Sequence, residues 1–264
     1  MKAYLAIISA RFRMLLQYRA AALAGLGTQV FWGLIRLMIF GAFYAMPSAK
    51  SAPMSWPQVV SYIWLGQATL MLLPMWQDAE VRNMVRDGSV GYELARPLDL
   101  YSLWFARSVA SRTAPTLLRS VPLVIVAGLF FGLQFPASLA AAAGWILSMF
   151  SALLLSCAIS TFVLITTLWT VSGRGITDLT GPCVWIFSGI MLPLPLFPEW
   201  MQSLINFLPF RGLLDIPFRI YTGNIPLTEF AGAIGHQLLW TAALILLGRW
   251  LLALGTRKLT IQGG

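Results

Sequence analysis

Histidine and cysteine are almost missing from this chain: one histidine, His236, and two cysteines, Cys157 and Cys183, stand among 264 residues. That scarcity excludes several chemistries. The nearest carboxylate to His236 in sequence is Glu229, seven positions back, so paired acid–base catalysis lacks its parts and His236 reads as a packed or hydrogen-bonded helix residue. No group of His, Cys and carboxylate has the spacing of metal ligands, so no metal site is expected. Both cysteines fall in apolar segments and read as buried thiols rather than a disulfide framework. Lysine is equally sparse. None of Lys2, Lys50 and Lys258 follows a Gly-rich turn and precedes Ser or Thr, as a phosphate-binding loop requires. The chain is not expected to be an enzyme in its own right, and any energy from ATP must come from another polypeptide.

What the sequence does contain is apolar: 58% of residues are hydrophobic, only 10% are charged, and the mean hydropathy is +0.77. Such a chain is an integral membrane protein. The net charge of +9 raises nucleic acid as a partner, but the Lys and Arg residues flank apolar runs instead of forming a basic domain. Anionic lipid headgroups in the bilayer account for them better.

Along the chain, residues 1–19 carry Lys2, Arg11, Arg13 and Arg19 between Leu5, Ile8, Phe12 and Leu15. The spacing suits an amphipathic helix on the inner membrane surface. The apolar run that follows is too long for a cleavable signal peptide. A first crossing is expected over 20–45, a second over 57–77, and between the second and third lies the most polar stretch of the chain. Residues 78–99, DAEVRNMVRDGSVGYELARPLD, hold eight charged residues in 22, and VRNMV, DG and ARPLD read as a short helix, a stop and a turn. A charged, water-exposed hairpin between two crossings is a docking surface.

The segment LYSLWFARSVASR, with Arg107 and Arg112, is expected as an interfacial helix leading into a third crossing that ends near Phe131 and bends at Pro115 and Pro122. Gly128 and Gly132 offer a place for close helix approach. Residues 137–171 are apolar throughout, about 52 Å if fully helical, which exceeds a hydrocarbon core of roughly 30 Å and requires a tilt, a break or a projection. A fifth crossing is expected over 176–192. Residues 193–226 are too proline-rich for a plain crossing and too apolar for an open loop, so a re-entrant helix pair is expected. A sixth crossing, 227–253, leads to a short basic tail.

Six crossings put both termini, the hairpin and the Arg174 turn on one side. That side would hold Lys2, Arg11, Arg13, Arg19, Arg82, Arg86, Arg96, Arg107, Arg112, Arg174, Arg249, Arg257 and Lys258, against Lys50, Arg211 and Arg219 on the other. The asymmetry makes the first side cytoplasmic. Trp76, Trp104, Trp169 and Trp250 would mark the inner boundary, and Trp56 and Trp200 the outer one. Arg36 and Arg119 remain inside spans. An arginine at that depth is costly without a partner, so each either lines a translocation path that attracts an anionic headgroup or acidic substrate, or snorkels to an interface or binds helix carbonyls.

This order of parts resembles the permease family of type 2 ATP-binding cassette exporters across the whole chain, as one transmembrane domain over 1–264. Two texts carry the resemblance: RDGSVGYELARPLDLYSLWFAR, similar to the family's first cytoplasmic loop, and SGIMLPLPLFPEWMQSLINFLPF, similar to its outer stretch with SG, spaced prolines, a Trp and a second LP. The wording is most similar to a subgroup with two nonidentical permeases. The resemblance implies an all-α membrane fold and a place in the bacterial cytoplasmic (inner) membrane with both termini in the cytoplasm. It further implies separate ATPase subunits that carry ATP and magnesium, and a second permease, a related chain more than an identical copy. Arg82, Met84, Val85, Arg86, Asp87, Glu93 and Arg96 would contact a groove in the ATPase. Pro193, Pro195, Pro198 and Pro209 would shape an outer gate, and Arg36 and Arg119 would lie on the path of an exported amphiphile. A membrane scaffold without transport is the rival from another class. A secondary transporter is a weaker rival, because no span carries the acidic site that proton or sodium coupling needs.

Overall fold

The computed structural model describes residues 2–17, 19–47, 51–169 and 174–256. Lys50, Arg257 and Lys258, and the side chains of Arg19 and Arg174, lie outside the described residues. Among the described residues the fold is all-helical, with no strand. In order it runs α1 (Lys2–Leu16), α2 (Arg19–Tyr44), α3 (Trp56–Ala68), α4 (Ala79–Arg86), α5 (Val90–Leu94), α6 (Leu100–Phe130), α7 (Leu139–Thr166), α8 (Arg174–Phe187), α9 (Glu199–Phe207), α10 (Asp215–Tyr221) and α11 (Phe230–Thr256). Among the described residues, four stretches are long and apolar enough to cross a membrane: Ala24–Tyr44, Leu100–Phe130, Leu139–Thr166 and Leu227–Thr256.

The second and fifth expected crossings are shorter helices than their apolar runs implied. In the second, α3 stops after 13 residues, about 20 Å of helix, and the chain continues through a 3-10 turn at Leu70–Leu72. Pro74 has no N–H to continue the ladder and forces Leu73 into an extended conformation (φ −65°, ψ 140°). In the fifth, α8 has 14 residues and is stopped by Gly189, which adopts φ +90°. The expected interfacial segment before the third crossing is instead the continuous start of α6, which stays helical through Pro115 and Pro122. Arg107 and Arg112 are buried there. Among the described residues nothing approaches Gly128, and Gly132 serves a turn at φ +75°, so within this chain the pair brings no two helices into close approach.

The centre of the bundle is α7, which is apolar all round and buried on most of its surface, as such helices are. Gly144, Ser148, Ala152, Ser156 and Ser160 recur every fourth residue and are all buried, and their small size admits close neighbours. A Cβ on Gly144 would stand 2.6 Å from the Phe230 ring. One turn on, Ser148 Oγ donates to Gln237 Oε1 at 3.0 Å, and Gln237 Nε2 donates to the carbonyls of Ser148 and Gly212. Those bonds join α7, α11 and the 3-10 turn at Pro209–Gly212. Thr166 and Thr167 hydroxyls then donate back to the Val163 and Leu164 carbonyls at the helix end, so α7 spans about 42 Å and ends five residues before its apolar run does.

Unwinding after α3 leaves backbone carbonyls without helical partners, and Arg112 supplies them. Its guanidinium donates to Leu73 O at 2.5 Å, Trp76 O at 2.8 Å and Ser160 Oγ at 2.7 Å. Ser156 Oγ donates to Leu72 O beside it. Buried carbonyls without donors are costly, and charged hydrogen bonds are each worth roughly 1.5–3 kcal/mol. Arg112→Leu is therefore expected to destabilise the purified protein by about 2–4 kcal/mol. Denaturant titration in micelles checks it; an unchanged midpoint would show that the break after α3 does not depend on this cap.

Candidate docking hairpin and polar path

The hairpin forms for local reasons. Asp78 caps α4 by accepting from Glu80 N at 3.1 Å and Val81 N at 3.5 Å. At the tip Gly88 takes φ +79°, open only to glycine without strain, and Asp87 accepts from both N and Oγ of Ser89. These bonds hold the Asp87 carboxyl below the usual range. Val81 and Val90 turn inward onto Tyr101, Trp104, Leu164 and Leu252, with Met84 and Val85 packed at the edge of that cluster.

Below the tip, charge fixes the hairpin to its base. Arg107 of α6 reaches Glu93 Oε1 at 3.2 Å, Glu80 Oε2 at 2.6 Å and Asp78 Oδ2 at 3.4 Å. Arg11 of α1 reaches the same Asp78 oxygen at 2.7 Å and Glu80 Oε2 at 3.2 Å. Trp104 Nε1 donates to Glu93 Oε2 at 2.8 Å. Helix α1 packs along α6, and the Tyr4 hydroxyl accepts from Asp99 N at 2.9 Å. Burial tends to raise the Glu80 carboxyl, but hydrogen bonds and charge from Arg107 and Arg11 outweigh it and hold the group below its ordinary value.

The seven residues expected at the docking surface thus divide. Arg86, Asp87 and Arg96 are exposed at the tip and Arg82 is half-exposed. Met84 and Val85 are half-buried, and Glu93 is 5% exposed, its carboxylate spent on Trp104 and Arg107. Glu93 faces the protein interior, not the surrounding solvent. Trp104 is likewise buried, so it is no boundary marker. Sequence reading missed Tyr92, which is 79% exposed on the same tip; an aromatic in a charged loop was the available signal. It also missed the roles of Asp78, Glu80 and Arg11.

At the opposite end, the prolines punctuate short helices. Pro193 precedes the 3-10 turn Leu194–Leu196, which includes Pro195; Pro198 precedes α9, and Pro209 opens the turn Pro209–Gly212. Pro193 and Pro209 are buried and Pro198 is exposed. Asp215, at the start of α10 and 1% exposed, accepts from Tyr62 Oη at 3.0 Å and pairs with Arg219 at 3.5 Å. Arg219 Nε donates to Asn224 Oδ1, and Asn224 Nδ2 to Pro53 O. Gly189 backs onto this pair: a Cβ there would lie 2.0 Å from Tyr62 Oη. Tyr62 and Asp215 were not singled out by sequence, although an Asp inside an apolar, proline-rich segment was a legible sign.

Arg36 stacks over the Trp185 ring at 5.5 Å and lines a cavity of about 10 Å³ with Phe40, Tyr62, Gly189 and Pro193. Arg119 lies against Gly25, where a Cβ would stand 2.7 Å from its Cζ. Among the described residues neither arginine has a carboxylate within ion-pair distance, and His, Cys, Asp and Glu form no group able to hold a metal.

A multi-pass helical membrane protein without a phosphate-binding loop, but with a charged hairpin braced against its longest helices, is the kind of chain that serves as a transport subunit. The sequence matches the family model described as "ABC-2 family transporter protein" over residues 26–263, nearly its whole length. The chain belongs to that family, whose members are membrane components of transporters with a separate ATPase subunit. No curated protein and no solved structure matches it.

Two outcomes follow from this geometry. A carboxyl held below its unfolded value stabilises the fold above that value, and the contribution is lost as pH falls through the folded value. The α1–hairpin ties through Glu80 are therefore expected to hold at neutral pH and to loosen only as pH falls below the ordinary glutamate range. Hydrogen exchange of α1 amides, corrected for intrinsic rates, reads this, and protection lost while pH is still above the ordinary glutamate value of about 4.3 would count against it. Gly189→Ala combines backbone strain with a collision at Tyr62 and should cost about 1–3 kcal/mol or more; adding Tyr62→Phe should recover part of the loss. Thermal denaturation of the two variants is the check, and a wild-type midpoint for Gly189→Ala would contradict the packing.

Proposed function

We propose that this chain is the permease subunit of an ATP-driven exporter that moves an amphiphilic compound out of the cytoplasm or inner leaflet. The observation that carries the reading is the hairpin: a rigidly ion-paired root joined to α1 and α6, and a tip that presents Arg86, Asp87, Tyr92 and Arg96 to solvent. A surface of that kind suits a groove on an ATPase, which would hold ATP and magnesium. Arg82, Met84 and Val85 sit behind the tip, and Glu93 acts by holding α5 to α6.

In this reading α3 and α8 complete six crossings, with the unwound ends of both covered by neighbouring helices as backbone at membrane depth requires. The excess of Lys and Arg at the hairpin end supports a cytoplasmic position for it and both termini, in a bacterial inner membrane, with α1 as an amphipathic helix at the surface. A second permease, a related chain, faces the exposed apolar side of α2. Pro193, Pro195, Pro198 and Pro209 shape an outer gate closed by Tyr62 and Asp215, and Arg36 and Arg119 lie on the path. Family membership favours transport over a scaffold. The buried Asp215 revives proton coupling as a second reading, but its carboxylate already has Tyr62 and Arg219 as partners.

Reversing charge on the exposed tip, Arg86→Glu with Arg96→Glu, is expected to leave the protein folded in the membrane while reducing ATPase co-purification by about tenfold, the loss of one or two surface contacts. Glu93→Arg should instead destabilise the chain. Affinity purification from membranes followed by ATP hydrolysis measures this, and full retention of the ATPase by the tip variant would refute the docking assignment.

A further inference from the structure

Five residues of α2, Gly25, Gln29, Gly33, Arg36 and Phe40, recur at intervals of four, four, three and four and so share one face of the helix. That face is turned into the protein. Gly25 seats the Arg119 guanidinium, Gln29 Nε2 donates to Gln67 O at 2.9 Å, and a Cβ on Gly33 would lie 2.6 Å from the Trp64 ring. Arg36 and Phe40 border the cavity shared with Tyr62. Two guanidinium groups therefore meet the same helix face about three turns apart, roughly 16 Å along its axis.

These two arginines differ from Arg11, Arg107, Arg219 and Arg249, each of which pairs with a carboxylate. Among the described residues Arg36 has the Trp185 ring and no carboxylate. The buried Arg119 Nε has no hydrogen-bond partner among the described residues, nor does the Thr116 hydroxyl one turn away on α6. Uncompensated cations within spans are costly, and they occur where they face the bundle interior or a water-filled cavity and mark substrate or ion pathways. Beside the cation, the wall of the Arg36 cavity is apolar, with Phe40, Ile63, Ile190 and Met191. An anion with an apolar tail satisfies both.

We propose that Arg119 with Thr116, and Arg36 above Trp185, are two successive stations for the anionic headgroup of an amphiphile, the first toward the hairpin end and the second toward the Tyr62–Asp215 closure. The proposal rests on the permease reading and narrows its cargo to compounds bearing a phosphate, sulfonate or carboxylate headgroup. The closed second station has room for about one water, so headgroup entry there requires Tyr62 and Gly189 to separate.

The test counts ligands on the purified chain by native mass spectrometry from nanodiscs of zwitterionic lipid, with dodecyl phosphate as probe and dodecyltrimethylammonium as its cationic counterpart. With the second station closed, wild type and Arg36→Gln should each hold one dodecyl phosphate molecule and Arg119→Gln and the double variant none, while opening the closure by Tyr62→Ala should add one molecule that Arg36→Gln removes; the cationic probe should not bind. Gly25→Ala keeps the charge and favours the helix but displaces the guanidinium, and should weaken one of the two sites by about tenfold. Equal binding of both probes, or an unchanged count in the double variant, overturns the proposal. Retention of the ATPase is read separately, so a failed co-purification would overturn the permease reading while leaving the ligand count as its own result.

Discussion

The contact on which the rest depends is that of Arg107 with three carboxylates. Asp78 and Glu80 come from the start of α4, Glu93 from α5 and Arg107 from α6, and Arg11 brings in α1. Charges taken partly out of water stabilise a structure only when each has its partner in good geometry, and breaking one buried pair costs roughly 3–5 kcal/mol. The hairpin cannot swing on its own without that loss. A displacement at the tip would load the base of a 31-residue helix, the mechanical property that the proposed coupling element needs.

The same rule, that polar groups away from water must be matched, organises the interior. The chain breaks helix after Ala68 and after Phe187, and both breaks are covered: the first by Arg112 and Ser156, the second by Tyr62 against Gly189. Small residues every fourth position on α7 bring α11, α10 and the loop after α3 close enough for these bonds to form. Irregular backbone is thereby confined to the two regions proposed to move, the hairpin end and the proline-rich end, around a central helix that is regular for 28 residues.

Much of this was legible in the sequence where composition changes sharply. The hairpin announces itself by its charges, the segment from Pro193 by its prolines, and α2, α6, α7 and α11 by apolar length. Other features depend on residues distant in the chain. Glu93 looks like a surface residue until α6 places Trp104 and Arg107, three apart on one helix face, beside it. Arg107 and Arg112 read as interfacial because helix α6 starts well before its apolar portion. Pro74 and Gly189 were visible signs that α3 and α8 stop early, but apolar length outweighed them. Asp215 was hidden by its short, apolar context, and its partner Tyr62 lies 153 residues away.

The most direct measurement places a photo-reactive amino acid at Tyr92, the exposed aromatic of the hairpin tip, and identifies by mass spectrometry what it captures in native membranes. The account predicts one dominant adduct, an ATPase with a phosphate-binding loop, strengthened or weakened by ATP. Capture of lipid alone, or labelling of the tip by a membrane-impermeant reagent added to the outside of intact cells, would contradict it.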